Sequence, residues 1–401
     1  DDDADSIKIL LSLRMIARGD KNYNNKSETK INPMNICVLV NNRNSIELIK
    51  SIEDKDKFII HIIYKYEILY KLIAQSIIYT GLSSVYEELF SYEGPDIKIE
   101  SKHNHSNSKF IDVASKYLSN IADSKVLMGV IKKDKNLLYI PNSDYIIESE
   151  DKFVILYTNY TENEKQDDTE NEKQLNISKH IAEETQQKNN ILLICNDSQN
   201  NELIDIIKNY NKEAKIIRMN YNEIDKENNK YKFVSNKLTK EDITKIILIS
   251  EDIDTDVKAI NTLLIIRQFI TKENPHIPVL SLINSIENRE LIKSDDIRDF
   301  IVSGNLIGML MAHAAFNPDM LYVFEDLLSK NGKDIIIKKY KPIEHENKFK
   351  DTYLNLLYNN EIIIGYKKDD TIVLNPKPNE NLTDEIIVIT NNNINLKSYN
   401  N

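Results

Sequence analysis

Between residues 191 and 283 the chain alternates short apolar runs with stretches of helical period. Ile191 to Cys195, Lys215 to Met219 and Ile246 to Ile249 are brief apolar segments, the pattern of strands buried in a sheet. Glu202 to Tyr210 and Asp256 to Ile270 instead space their apolar residues as amphipathic helices do, and Pro278 to Ile283 returns to a strand. Strands separated by helices predict βαβ units and a parallel sheet. A helical pair follows, Leu306 to Phe316 and Pro318 to Ser329, with Asn317 as cap and Pro318 at the first helical position. Beyond about Tyr340, the runs Glu361 to Tyr366, Thr371 to Leu374 and Glu385 to Thr390 predict a small β-rich lobe.

The same pattern occurs twice. Asp1, Asp3, Ile7, Leu10, Leu11 and Arg14 recur as Asp254, Asp256, Ile260, Leu263, Leu264 and Arg267, at a constant offset of 253 residues. Ala74, Val85, Glu87, Leu89, Ser91 and Gly94 recur as Ala312, Val323, Glu325, Leu327, Ser329 and Gly332, at an offset of 238. Phe110, Asp112 and Gly129 match Phe349, Asp351 and Gly365. Three matches in one order indicate a tandem duplication. The expected organisation is a first α/β unit over 1–158 with its lobe from about 95, and a polar linker over 159–190. A second unit covers 191–340, and its lobe covers 341–401. Because 191–253 supplies strands that have no counterpart ahead of Asp1, the first unit is expected to be N-terminally truncated, part of a longer polypeptide.

Composition agrees with a folded chain: 41% of its residues are hydrophobic and 29% charged. The net charge of −11 and the lack of a basic stripe argue against a nucleic-acid partner. No apolar window reaches the ~18 residues of a bilayer span, so the chain as it stands is expected to be soluble. Cys37 and Cys195 each sit in an apolar run, which fits a reducing compartment.

The carboxylates Glu251, Asp252, Asp254 and Asp256 follow a predicted strand, at the edge where open α/β sheets collect ligands. Alternating carboxylates there can gather around a hard cation such as Ca²⁺, or can cap the following helix. The first copy repeats the run with Asp1, Asp2, Asp3 and Asp5. Glu87-Glu88 and Glu325-Asp326 read as solvated helix faces, His103-x-His105 as a loop and His313 as a packed side chain. After the strand Ile191 to Cys195 comes Asn196-Asp197-Ser198-Gln199-Asn200-Asn201, with no glycine to let a pyrophosphate approach the backbone, so NAD is not expected. No Ser/His/Asp or Cys/His arrangement supports an enzyme.

Ala259 to Arg267, Val323-Phe324-Glu325-Asp326-Leu327-Leu328, Glu361 to Tyr366 and Val373-Leu374-Asn375-Pro376 resemble, in that order, the cytosolic region of CASTOR/POLLUX-type ion channels. Val85 to Phe90 and Asp151 to Ile155 extend the resemblance to the first copy. It implies tandem Rossmann-like RCK (regulator of K⁺ conductance) domains. It further implies a homotetrameric ring of such domains, a membrane pore upstream in the same polypeptide, and a ligand, Ca²⁺ by preference, that drives gating. The region would face cytosol or nucleoplasm. The competing readings are a nucleotide-sensing subunit of a K⁺ uptake system and a Rossmann-type oxidoreductase.

Overall fold

The computed structural model describes residues 2–19, 33–91, 94–101, 103–119, 123–134, 137–139, 142–159, 189–196, 200–273, 277–285, 287–288, 300–328, 332–340, 348–368, 371–383 and 385–390. The first copy opens with α1 (Asp2–Gly19), β1 (Met34–Val40), α2 (Ser45–Ile52) and β2 (Phe58–Tyr64). β1 and β2 pair in parallel from Met34↔Phe58 to Val40↔Tyr64. Leu10, Val38, Val40, Ile49, Ile52 and Phe58 form a small core beneath them. The helical pair α3 (Lys65–Ile78) and α4 (Leu82–Phe90) turns at Gly81, whose φ of 92° is left-handed. β3 (Asp96–Glu100), α5 (Phe110–Tyr117), β4 (Asp123–Ile131), β5 (Leu137–Tyr139) and β6 (Lys152–Asn159) complete the copy. Their antiparallel sheet runs in the order β3-β6-β4-β5.

The second copy contains β7 (Asn190–Ile194), α6 (Asn201–Tyr210), β8 (Lys215–Met219), α7 (Tyr221–Asp225), α8 (Lys230–Lys240), β9 (Lys245–Ile249), α9 (Ile253–Glu273), β10 (Val279–Ile283) and β11 (Phe300–Val302). These five strands form a parallel sheet, β11-β10-β9-β7-β8. The apolar runs are continuous because both faces are covered. Leu192, Ile194, Ile246 and Leu248 enter a core on one face, whereas Ile191, Leu193, Ile247 and Ile249 enter the large core on the other. α10 (Ser303–Phe316) and α11 (Met320–Leu328) repeat α3 and α4 at the same lengths. β12 (Asp334–Lys339), α12 (Phe349–Leu357), β13 (Ile362–Lys368), β14 (Thr371–Leu374) and β15 (Glu385–Thr390) repeat the lobe, with the matching order β12-β15-β13-β14. Even the irregularities coincide: the register slips between Leu127 and Gly129 and between Ile363 and Gly365. A Cβ on Gly365 would stand 2.2 Å from the Val373 carbonyl oxygen, so this strand crossing requires glycine.

The fold is therefore the duplicated α/β arrangement that the pattern predicts, with three shifts of detail. α9 starts at Ile253, ahead of the expected Asp256, because Asp252 caps it. α11 starts at Met320, and Pro318 lies in a turn where Asn317 Oδ1 accepts the Asp319 N–H at 3.1 Å. β12 pairs with β15, so the second lobe's sheet begins at Asp334. Of the expected linker, residues 160–188 lie outside the described residues, while Asn159 and Asn190 fall in strands. Among the described residues the first copy has two parallel strands where the second has five.

The copies interleave. α3 of the first lies against α6 and β10 of the second, and α10 of the second lies against β1 of the first. The two lobes also meet. Asn375 is fully buried and donates to Ser124 O at 2.9 Å and Thr158 Oγ1 at 2.8 Å, and Tyr353 donates to Leu127 O at 2.7 Å. No helix among the described residues is long and apolar enough to cross a membrane. Neither Cys37 nor Cys195 is in a disulfide.

Candidate functional site

The acidic run joins β9 to α9 at the carboxyl edge of the five-stranded sheet. Its carboxylates have separate duties. Asp252 Oδ1 accepts the Thr255 N–H at 2.7 Å, which satisfies an otherwise orphan donor of the first helical turn. Asp256 is fully buried and accepts from the N–H groups of Asn284 (2.9 Å) and Ser285 (3.0 Å) and from the Asn288 amide (2.9 Å), just beyond β10. Burial pushes its carboxyl up, but these donors together with Ser250 outweigh burial and hold it below the usual carboxylate range. Glu251 Oε1 accepts the Asn196 N–H at 2.9 Å, beyond β7, and Asp254 is exposed. Among the described residues no three His, Cys, Asp or Glu side chains come together as a metal site.

The first copy explains why these acids recur. Asp3, the match of Asp256, is 2% exposed and accepts from the N–H groups of Asn41 (2.9 Å) and Asn42 (2.8 Å), just beyond β1. In both copies one carboxylate in the first turn of a helix ties down the loop leaving the next strand. Asp5 pairs with Lys8 at the surface, and Asp1 lies outside the described residues. His103 stacks on Phe153 with ring centroids 4.1 Å apart and bonds the Asp151 carbonyl, so it is packed.

β7 and β9 flank the point where strand order reverses, the place where open α/β sheets bind ligands. Tyr221 OH and Asn196 Oδ1 are buried here with no hydrogen-bond partner among the described residues. Burial, and then the Glu251 carboxylate, raise the Tyr221 phenol well above its usual range. Residues 197–199 of the turn after β7 lie outside the described residues. The rim of the crevice touches the first copy. Tyr70 on α3 donates to Asn200 Oδ1 at 2.6 Å, Arg43 pairs with Glu202 at 3.1 Å, and Tyr64 donates to the same carboxylate at 3.4 Å.

From the next residue of α3, Lys71, to Gln75 one turn on lies a buried polar network between the copies. Lys71 is fully buried, 3.5 Å from Asp334 and donating to Lys333 O at 2.8 Å. Gln75 and Tyr210 donate to the same Asp334 oxygen at 2.5 and 2.7 Å, and Tyr86 donates to Gln75. Burial raises the Asp334 carboxyl and lowers the Lys71 ammonium, each opposed by the other's charge. In the sequence this network appears only as Lys71 and Gln75 interrupting an apolar helix, four residues apart and so on one face.

The family model described as "Castor and Pollux, part of voltage-gated ion channel" matches residues 66–174 and 304–400, together just over half of the chain. The chain belongs to this family. Its two matched segments begin at the helical pairs, α3 and α10, where the Castor and Pollux pattern carries through into each lobe. The probable ion channel POLLUX of Oryza sativa subsp. japonica is 27% identical over 104 residues, 25% of this chain and 11% of that protein. The solved GsuK channel bound to NAD aligns over 97% of this chain and 63% of its own, at 12% identity and a TM-score of 0.36. The GsuK RCK domain aligns over 97% and 76%, at 12% identity and a TM-score of 0.34. The chain thus spans about a tenth of the curated relative and under two thirds of the GsuK channel chain.

Proposed function

We propose that this chain is a regulatory region of a Castor and Pollux-type cation channel. In this reading residues 1–158 and 191–401 act as two units joined by 159–190, four subunits assemble their units into a ring beside a membrane pore, and ligand binding changes the ring. The observation that carries the proposal is the interleaving of the copies. Tyr70 of the first grips Asn200 on the crevice rim of the second, so a ligand entering the crevice bears on both units at once. The ligand assigned is Ca²⁺, the preference that the family resemblance implies and that an overall charge of −11 suits. NAD is not assigned, because the segment after β7 has no glycine for close phosphate approach.

The test is single-channel recording from the full-length protein with Tyr70→Phe, which removes one hydroxyl and leaves the ring. The expected outcome is an unchanged unit conductance with the Ca²⁺ concentration for half-opening moved about fivefold, the effect of losing roughly one hydrogen bond of coupling. A channel whose opening ignores Ca²⁺ defeats the ligand assignment. A Ca²⁺ response identical in the variant defeats the coupling.

A further inference from the structure

β8 is an outer strand of the five-stranded sheet, and the groove between it and α6 has a charge opposite to that of the chain as a whole. From Lys208 to Arg218 the sequence sets Lys208, Lys212, Lys215 and Arg218 against Glu213, in a chain of net charge −11. Lys208, Lys215 and Arg218 line the groove together with Asp205, over a floor that includes Ile204 and Ile216, and the space between them is about 650 Å³. Lys208 is exposed and makes no ion pair among the described residues. Lys215 pairs with Glu241 at 3.0 Å and Arg218 donates to Asn201 Oδ1 at 2.6 Å. Both contacts lie on the surface, where such pairs contribute little. An ammonium carries three donors and a guanidinium five, so these side chains can take further carboxylates without losing the partners they have.

We propose that this groove is a docking site for residues 167–177 of the same chain, which lie outside the described residues. Asp167-Asp168-Thr169-Glu170-Asn171-Glu172 offers four carboxylates and no cation, and Leu175 and Ile177 follow. The carboxylates match the cationic rim. Leu175 and Ile177 stand two apart, on one side of an extended chain, and match the floor of Ile204 and Ile216. The chain also returns to the sheet beside this groove. Asn189, one residue ahead of β7, accepts the N–H of Lys215 at 2.9 Å. Ile177 lies twelve residues before Asn189, a stretch that can span up to ~40 Å, whereas Lys215 to Arg218 takes only ~10 Å of strand. A tethered segment meets its groove within one molecule, so surface pairs that are weak singly suffice, and no partner has to be gathered from solution. Docked there, the segment between the copies is fixed along the second copy's outer strand. This inference is independent of the regulatory reading, since it concerns the chain alone.

Zero-length carboxyl-to-amine cross-linking of the 401-residue chain, read by mass spectrometry, tests it. At low salt the carboxylates of 167–172 are expected to link to Lys208 and Lys215 about fivefold more than to Lys226 and Lys258, and about 0.5 M sodium chloride is expected to remove that preference. In an equal mixture of chains carrying ordinary and heavy nitrogen, each linked pair of peptides is expected to carry a single isotope. The double variant Lys208→Glu/Arg218→Glu reverses the rim and is expected to lose the links to Lys215; should it fail to fold, the salt comparison on the wild type decides the matter. Links spread evenly over the surface lysines would mean attraction without a site, and links joining the two isotopes would mean a groove filled by a second copy. Either result overturns the proposal, as do links to Lys215 that persist undiminished in the folded variant.

Discussion

In the elements they share, the two copies differ where they touch each other. Their lobes share strand order and register slip, and their helical pairs share lengths. At the seam, however, Lys71 faces Met309 as its counterpart, Gln75 faces His313, and Tyr86 faces Phe324. Only Asp334 and its counterpart Asp96 are alike, and their surroundings are not. Asp334 receives Gln75, Tyr210 and a fully buried lysine, while Asp96, 33% exposed at its side chain, lies 3.9 Å from His313. Backbone geometry is constrained by each copy's own core, so it persists. A seam between two copies in one chain is free of the requirement that both sides be identical, which an isologous dimer of identical subunits imposes.

The largest test of that asymmetry is Lys71→Met, which gives the first copy the residue of the second. Removing one partner of a buried pair is expected to lower stability by about 3–5 kcal/mol, and adding Asp334→Asn should restore much of it. Chemical denaturation of both variants measures this; a single variant as stable as wild type would mean that the lysine contributes no more than Met309 does.

A middle-sized effect compares the matched loop ties. Asp256→Ala removes three N–H partners and should cost about 2–3 kcal/mol, against about 1–2 kcal/mol for Asp3→Ala, which removes two. Because the folded carboxyl of Asp256 is held below its ordinary value, its contribution is fully present above the unfolded pKa of about 3.9. It is lost as pH falls through the lowered folded value. Denaturation curves of wild type and Asp256→Ala should therefore converge in acid, and a gap that widens there contradicts the tie.

The smallest effect concerns the sheets. β10 has strand neighbours on both sides, β9 and β11, whereas β1 has β2 alone among the described residues. Amide exchange should accordingly be about tenfold or more faster along Met34–Val40 than along Val279–Ile283. Equal protection would mean that the edge of β1 is covered.

Much of this was legible in the residues. Continuous apolar runs such as Ile191 to Cys195 identify strands covered on both faces, and the two offsets bring α1 onto α9 and one helical pair onto the other. The duties of the acids were not legible, because Asp256 acts on Asn284, Ser285 and Asn288, about thirty residues away, and hydrogen-bond partners at that separation leave no periodic trace. Capping, by contrast, is local, and the sequence offers it at Asp254 or Asp256 as one of two alternatives, whereas the structure gives it to Asp252, just ahead of both. The Lys71 network was invisible for a similar reason: a lysine within an apolar helix looks like an interruption until the opposing Asp334, 263 residues later, is brought to it.

The interleaved helices also set a concentration. Two separate subunits meeting through this seam would part on dilution, whereas copies held on one chain meet within the molecule, at a concentration that dilution does not change. Each also keeps a helical pair seated on the other, so the halves cannot be drawn apart without stripping α3 and α10 from their cores. Such a pair stays assembled however few molecules a cell makes.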